Sequence, residues 1–161
     1  MNIVIVGGGT AGWLVSLYLA KQRPQHQYTT IDSINVGPIG VGEAATGKFN
    51  QMLNECGITD WEFMLATDAL PKHGLRFINW TKNPSTFDSP MEYSVSSQDP
   101  LDTRLFLQVL NQQPIEHASI SGWHSLNEKT SYRSVDGRLE NTFAHAFQFD
   151  ANKTANFLKS H

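Results

Sequence analysis

The sequence predicts an α/β fold that opens on a parallel strand–helix–strand unit, and three observations carry that prediction. Ile3-Val4-Ile5-Val6 is a continuous, mostly β-branched apolar run that glycines end at once, the composition of a strand buried in a parallel sheet. Gly7-Gly8-Gly9-Thr10-Ala11-Gly12 then forms a turn before a helix whose Leu14, Val15, Leu17, Tyr18 and Leu19 make a broad apolar face. Tyr28-Thr29-Thr30-Ile31-Asp32 reads as the second strand, closing a unit of about 30 residues, the length of one βαβ crossover.

The remaining elements follow from local signals. Lys21 and Arg23 suit the C-terminal end of the first helix, and Pro24 stops it. Gly37 to Gly42 holds three glycines and a proline, a loop with special backbone angles. Phe49, Met52, Leu53 and Cys56 recur at helical spacing, with Gly57 as the C-cap. Thr59-Asp60-Trp61-Glu62 is a capping-box pattern, and Pro71 is expected to break the helix it opens. Leu75 and Phe77 alternate on a strand ending near Trp80, and the polar stretch from Thr81 to Gln98 reads as a surface excursion. Asp99-Pro100 starts a helix carrying Leu101, Leu105, Phe106 and Val109. Glu128 to Asn141 is polar with a turn at Asp136-Gly137, Phe143 to Phe149 is a strand, and Asp150 caps a last helix with Ala151, Ala155 and Leu158. That helix reaches His161 without a glycine or proline stop, so a continuation and an unpaired sheet edge are expected.

The bulk numbers exclude several classes. At 161 residues the chain suits one domain, taken as 1–161, with length enough for a core. Apolar residues at 40% and charged residues at 17% exclude a disordered chain. A net charge of −3 without a basic run gives no reason to expect nucleic acid. Cys56 is the only cysteine, no signal peptide precedes Ile3, and no apolar run is long enough to cross a bilayer. The expectation is a cytoplasmic protein with no membrane partner.

The chemistry begins at the first turn. Gly7-x-Gly9-x-x-Gly12 lies between a strand and a helix, the context a dinucleotide site requires. Gly7 allows the tight turn, Gly9 the approach of a pyrophosphate, and Gly12 close packing of helix on strand. The helix start offers N–H groups and a positive dipole end to phosphates. Asp32, twenty positions beyond Gly12, can accept the hydroxyls of an adenosine ribose, which argues against a 2′-phosphate. These features do not separate FAD from NAD.

Gly7-Gly8-Gly9-Thr10-Ala11-Gly12-Trp13, followed by Gly40-Val41-Gly42-Glu43-Ala44, resembles the opening of the flavin-dependent tryptophan halogenases. The similarity runs on through Phe77-Ile78-Asn79-Trp80 and Phe147-Gln148-Phe149-Asp150-Ala151, and is weakest between Asn83 and Asn141. The resemblance implies the FAD-binding, Rossmann-like fold of the flavin monooxygenases and halogenases, with the start of a substrate module. It implies FAD delivered reduced by a separate flavin reductase, which with O2 and halide gives hypohalous acid for an electron-rich aromatic substrate. The lysine that relays the acid corresponds to Lys72, presenting its nitrogen either as an amine that forms a haloamine or as a cation that polarises the acid. The cofactor contacts carry over to Gly7, Gly9, Thr10, Ala11, Gly12, Trp13, Asp32, Gly40, Val41, Gly42, Glu43 and Ala44. Residues 40–44 are expected along the flavin. Ala45 and Gly47 replace the threonine and proline of many members, and Pro71 and His73 are unusual neighbours for the lysine. The family's tryptophan-rich motif, assisting glutamate and halide loop lie further along than this sequence reaches, so the 161-residue chain alone is expected to be inactive. A related FAD monooxygenase or oxidoreductase, and a non-catalytic flavin-binding fragment, are the alternative readings, and oligomerisation stays open.

Other residues read as structural. His117, His124 and His145 are too widely spread for a metal site, so no metal is expected. Phe143, Phe147 and Phe149 suit a core, Cys56 a small core position, and Trp13 packing, with its backbone N–H near the phosphates.

Overall fold

A computed structural model describes residues 1–36, 42–91, 106–113, 119–141 and 145–161. The chain forms two compact units, one of Met1–Leu70 with Phe147–His161, the other of Pro71–Ala146.

The first unit starts as the sequence predicts. Strand β1 (Asn2–Val6), helix α1 (Thr10–Gln22) and strand β2 (Gln27–Ile31) make a parallel βαβ unit, with Ile3 opposite Tyr28 and Ile5 opposite Thr30. One expectation fails here. β1 is not buried on both faces: Val4 and Val6 are 57% and 80% exposed, because β1 and β2 form a two-stranded sheet whose Ile3, Ile5 and Tyr28 side is the sheltered one.

Strand β3 (Glu43–Ala44) leads into α2 (Gly47–Glu55) and α3 (Asp60–Thr67). Gly57 ends α2 at φ 82°, while Ile58 N–H donates to Leu53 O and Gly57 N–H to Asn54 O. This is a Schellman closure that satisfies the last carbonyls, and a side chain at Gly57 would strain it. Thr59 Oγ1 accepts from Glu62 N–H at 3.2 Å, so the predicted cap of α3 is formed. Pro71, however, does not end α3. The helix stops at Thr67, where Asp68 takes a left-handed conformation (φ 54°) and pairs with Lys153. Pro71 lies inside strand β4 (Leu70–Lys72), an edge strand in the sheet order β3-β9-β4, with β9 at Ala146–Phe149, where a missing N–H is tolerated. Lys72 is therefore the last strand residue.

Strand β9 (Ala146–Phe149) pairs antiparallel with β3, Glu43 opposite Phe149. It starts later than the expected Phe143, which lies outside the described residues. Helix α6 (Ala151–Lys159) then packs on α1 and α3. The core gathers around Phe63, fully buried, with the rings of Phe147, Phe49 and Phe149 at 5.1, 5.5 and 5.7 Å. Cys56 is buried there too, and burial raises its thiol pKa, which fits a packing role rather than a nucleophile. Asp150 Oδ1 accepts from Lys153 N–H at 2.8 Å. Asp150→Ala should lower unfolding free energy by about 1 kcal/mol and Asp150→Asn should restore most of it. A denaturation midpoint unmoved by the alanine would show that the cap contributes nothing.

In the second unit, β5 (Gly74–Ile78) and β6 (Thr86–Pro90) form an antiparallel hairpin with Phe77 stacked on Phe87. The expected strand thus ends at Ile78, two residues before Trp80, and part of the expected surface excursion is a strand. Asn79 (φ 57°) begins the reversal. Residues 106–110 are helical (α4), while the Asp99-Pro100 start falls outside the described residues. Helix α5 (Ile120–Leu126), capped by Ser119 Oγ on Gly122 N–H, packs on β5 and β6. Strands β7 (Tyr132–Val135) and β8 (Arg138–Asn141) flank the expected turn, where Asp136 and Gly137 both have positive φ, the two-residue geometry that suits strand twist.

Candidate functional site

The three fingerprint glycines are used in three different ways. Gly7 has φ 126° and its N–H donates to Ile31 O at 2.9 Å, so the turn itself needs glycine. A Cβ at Gly12 would overlap the Gly7 carbonyl oxygen, so helix and turn touch there. Gly9 is the N-cap of α1 in extended backbone (φ −80°, ψ −178°), which any residue adopts, and a Cβ there would meet nothing within 4 Å. Its lack of a side chain keeps space open in front of the helix start. A Cβ at Gly8 would run into the carboxylate of Asp32. Asp32 thus lies beside the turn, with Oδ1 accepting from Ser33 N–H at 2.8 Å.

No side chain caps α1, and its first turn faces that open space with its positive dipole end. Thr10 Oγ1 is buried there with no hydrogen-bond partner, which is costly for a hydroxyl unless a ligand meets it. A cavity of about 470 Å³ adjoins the helix start, lined by Thr10, Ala11 and Leu14, by residues 43–46, and by Phe49 and Phe149. Both glycine-bearing stretches of the sequence therefore reach one cavity. Glu43 is half-buried in its wall. Gly42 is exposed next to β3, and Gly40 and Val41 lie outside the described residues.

Trp13 packs as expected, but its backbone N–H is engaged within the helix. It donates to Gly9 O at 3.1 Å and so does not point to a ligand. Its ring packs at the margin of the core and carries Lys159 Nζ 5.3 Å from its centroid. Leu14, Phe49, Phe149, Ala45 and Thr46 were not expected as site residues. They are apolar or small, and only the folded chain brings them to the cavity.

An open backbone cradle, an uncapped helix start, an unsatisfied hydroxyl and a neighbouring carboxylate fit a dinucleotide diphosphate, and the comparisons say which kind of protein carries them. The tryptophan halogenase family profile matches residues 2–161. The chain belongs to the tryptophan halogenase family. Tryptophan 7-halogenase KtzQ of Kutzneria sp. (strain 744) is 28% identical over 98% of this chain and 33% of its own length. Tryptophan 6-halogenase ThaL of Streptomyces albogriseolus is 29% identical over 99% of this chain and 33% of its own. The solved tryptophan 6-halogenase SttH of Streptomyces toxytricini superposes with a TM-score of 0.76 at 28% identity, covering 99% of this chain and 32% of that one. The chain thus spans about a third of the length of these halogenases. Over that third, the fold is that of the halogenases.

Lys72, the lysine that the sequence resemblance singles out, stands half-buried at the end of β4, in the second unit. His73 beside it is half-buried, and burial, then His145 and His124, hold its imidazole below the usual histidine pKa. Among the described residues, no group of three or more His, Cys, Asp or Glu could hold a metal ion, and no helix is long and apolar enough to cross a membrane.

Proposed function

We propose that this chain holds FAD at the start of α1 and, within the complete protein, halogenates an electron-rich aromatic ring through Lys72. The observation that carries the cofactor assignment is the Gly9 cradle beside the unpartnered Thr10 hydroxyl. Thr10 Oγ1 and the first-turn N–H groups of α1 would bind the diphosphate, and Asp32 the adenosine ribose. Residues 42–46 would border the riboflavin half. Reduced FAD, with O2 and halide, supplies the hypohalous acid. A separate flavin reductase delivers the reduced cofactor.

Lys72 Nζ then receives the acid. As an amine it takes the halogen and releases water, giving a haloamine. As an ammonium it donates a hydrogen bond to the acid's oxygen and polarises the O–halogen bond. Either route delivers electrophilic halogen to a ring carbon, which loses one proton. The family membership and the names of the relatives support the halogenation. The lysine's role rests on its position before the Phe77-Ile78-Asn79-Trp80 stretch.

A flavin titration of the apoprotein tests the cofactor assignment. Thr10→Val removes the hydroxyl and keeps the shape. FAD affinity should fall about tenfold, the worth of one hydrogen bond to a charged group, with an apoprotein unfolding midpoint no lower than the parent's. Equal affinity would remove Thr10 from the site.

A further inference from the structure

Trp13 follows the last fingerprint glycine and stands three positions after Thr10 in α1. Side chains on a helix lean toward its N-terminus, so the indole lies over the first turn of α1. Lys159, in the last turn of α6, rests its ammonium 5.3 Å from the centroid of that ring, within the range of a cation–π contact. Both helices belong to the first unit and pack on each other. The fold therefore returns a cation from a distant part of the sequence to the flank of the helix start.

That cation answers an electrostatic deficit. The turn of residues 7–12 and the cavity beside it carry the carboxylates of Asp32, next to Gly8, and of Glu43, in the wall. Among the described residues of that turn and lining, none has a cationic side chain. The macrodipole of α1 supplies only about half a positive charge to a diphosphate there. Lys21 of α1 is eleven positions beyond Thr10, about 16 Å further along the axis.

We propose that Lys159, carried on the face of Trp13, is the cation that draws the FAD diphosphate to the start of α1. Trp13 is then a positioning residue that acts through Lys159, by the attraction of its ring face for the ammonium. Lys159 is exposed, so it attracts through solvent rather than as a buried ion pair, and its main effect is on the rate of association. Removing one such charge should slow FAD association about fivefold. The inference rests on the FAD site proposed at α1.

Stopped-flow quenching of flavin fluorescence, with the full-length apoprotein and oxidised FAD, tests this without any turnover. At about 0.1 M salt, where charges are screened over about 10 Å, Lys159→Met should slow association about fivefold, and Lys159→Arg should keep most of the parent rate. Lys21→Met removes the same charge from beyond that length and should leave the rate unchanged. At about 1 M salt, where screening acts over about 3 Å, the parent and Lys159→Met should converge. Trp13→Leu should slow association in the parent and add nothing in Lys159→Met. If Trp13→Leu does not fold, Trp13→Phe, with a smaller ring face, takes its place in the same comparison. An unchanged rate in Lys159→Met, an equal loss in Lys21→Met, a loss that persists at the higher salt, or a further loss in the double variant would overturn the proposal. A parent protein that binds no FAD would overturn the FAD site as well. A parent that binds FAD and loses it in Gly9→Val, with Lys159→Met unaffected, would overturn only the role of Lys159.

Discussion

Lys72→Ala is expected to abolish aromatic halogenation by the complete protein while leaving FAD affinity and flavin reoxidation by oxygen nearly unchanged. Lys72 ends β4 in the second unit, whereas the cradle at Gly9 and the cavity beside Thr10 belong wholly to the first. A lysine that served only to hold the fold would, on removal, affect both functions or neither. Loss of product with flavin turnover intact, and with free hypohalous acid trapped in solution, therefore identifies transfer at Nζ. Lys72→Arg separates the two chemistries. Arginine keeps the charge and hydrogen-bond donors but holds its proton. Substantial activity in the arginine variant would favour polarisation of the acid, and none would favour a haloamine. Full halogenation by Lys72→Ala, with no rise in trapped acid, would remove Lys72 from the mechanism.

Gly9→Val is expected to lower FAD affinity by more than about a hundredfold without unfolding the protein. A valine there fills the open space in front of α1, and losing two charge-assisted hydrogen bonds to the diphosphate already costs that much. The backbone at Gly9 is extended and a Cβ meets no neighbour, so stability should fall by no more than about 1 kcal/mol, the usual range for an N-cap. Gly12→Val serves as the contrast. Its Cβ would overlap the Gly7 carbonyl oxygen, so the βαβ turn itself should break and flavin binding and stability should fall together. Tight FAD binding by Gly9→Val, seen as unchanged quenching of flavin fluorescence, would put the diphosphate elsewhere.

The first unit was legible in the sequence because its signals are local. A β-branched run, a glycine turn and an apolar helix face determine β1–α1–β2 with little help from the rest of the chain. The caps Thr59, Gly57 and Asp150 act within four residues of themselves, and each does what its residue type dictates. The second unit was harder to read for a physical reason. Helix α5 is only seven residues long and contains Gly122, so its own propensity is poor, and packing on β5 and β6 makes up for it. Strands β6 and β7 are polar and present little alternation, and Pro71 reads as a helix breaker until an edge strand is available to hold it.

The site divides in the same way. Gly7, Gly9, Thr10, Gly12 and Asp32 announce themselves through spacing, because a diphosphate is met by backbone at a strand–helix junction. Leu14, Phe49 and Phe149 carry no such signal. They line the cavity because α2 and β9 return to the start of α1, and the same phenylalanines build the core.

The most direct measurement of the central claim is product analysis by mass spectrometry. The full-length protein is supplied with reduced FAD, oxygen, bromide and an electron-rich aromatic such as indole. The account predicts a ring-brominated product with the bromine isotope doublet, dependent on both halide and reduced flavin. An oxygenated product whose yield ignores bromide, or no product from a protein that turns over its flavin, would contradict it.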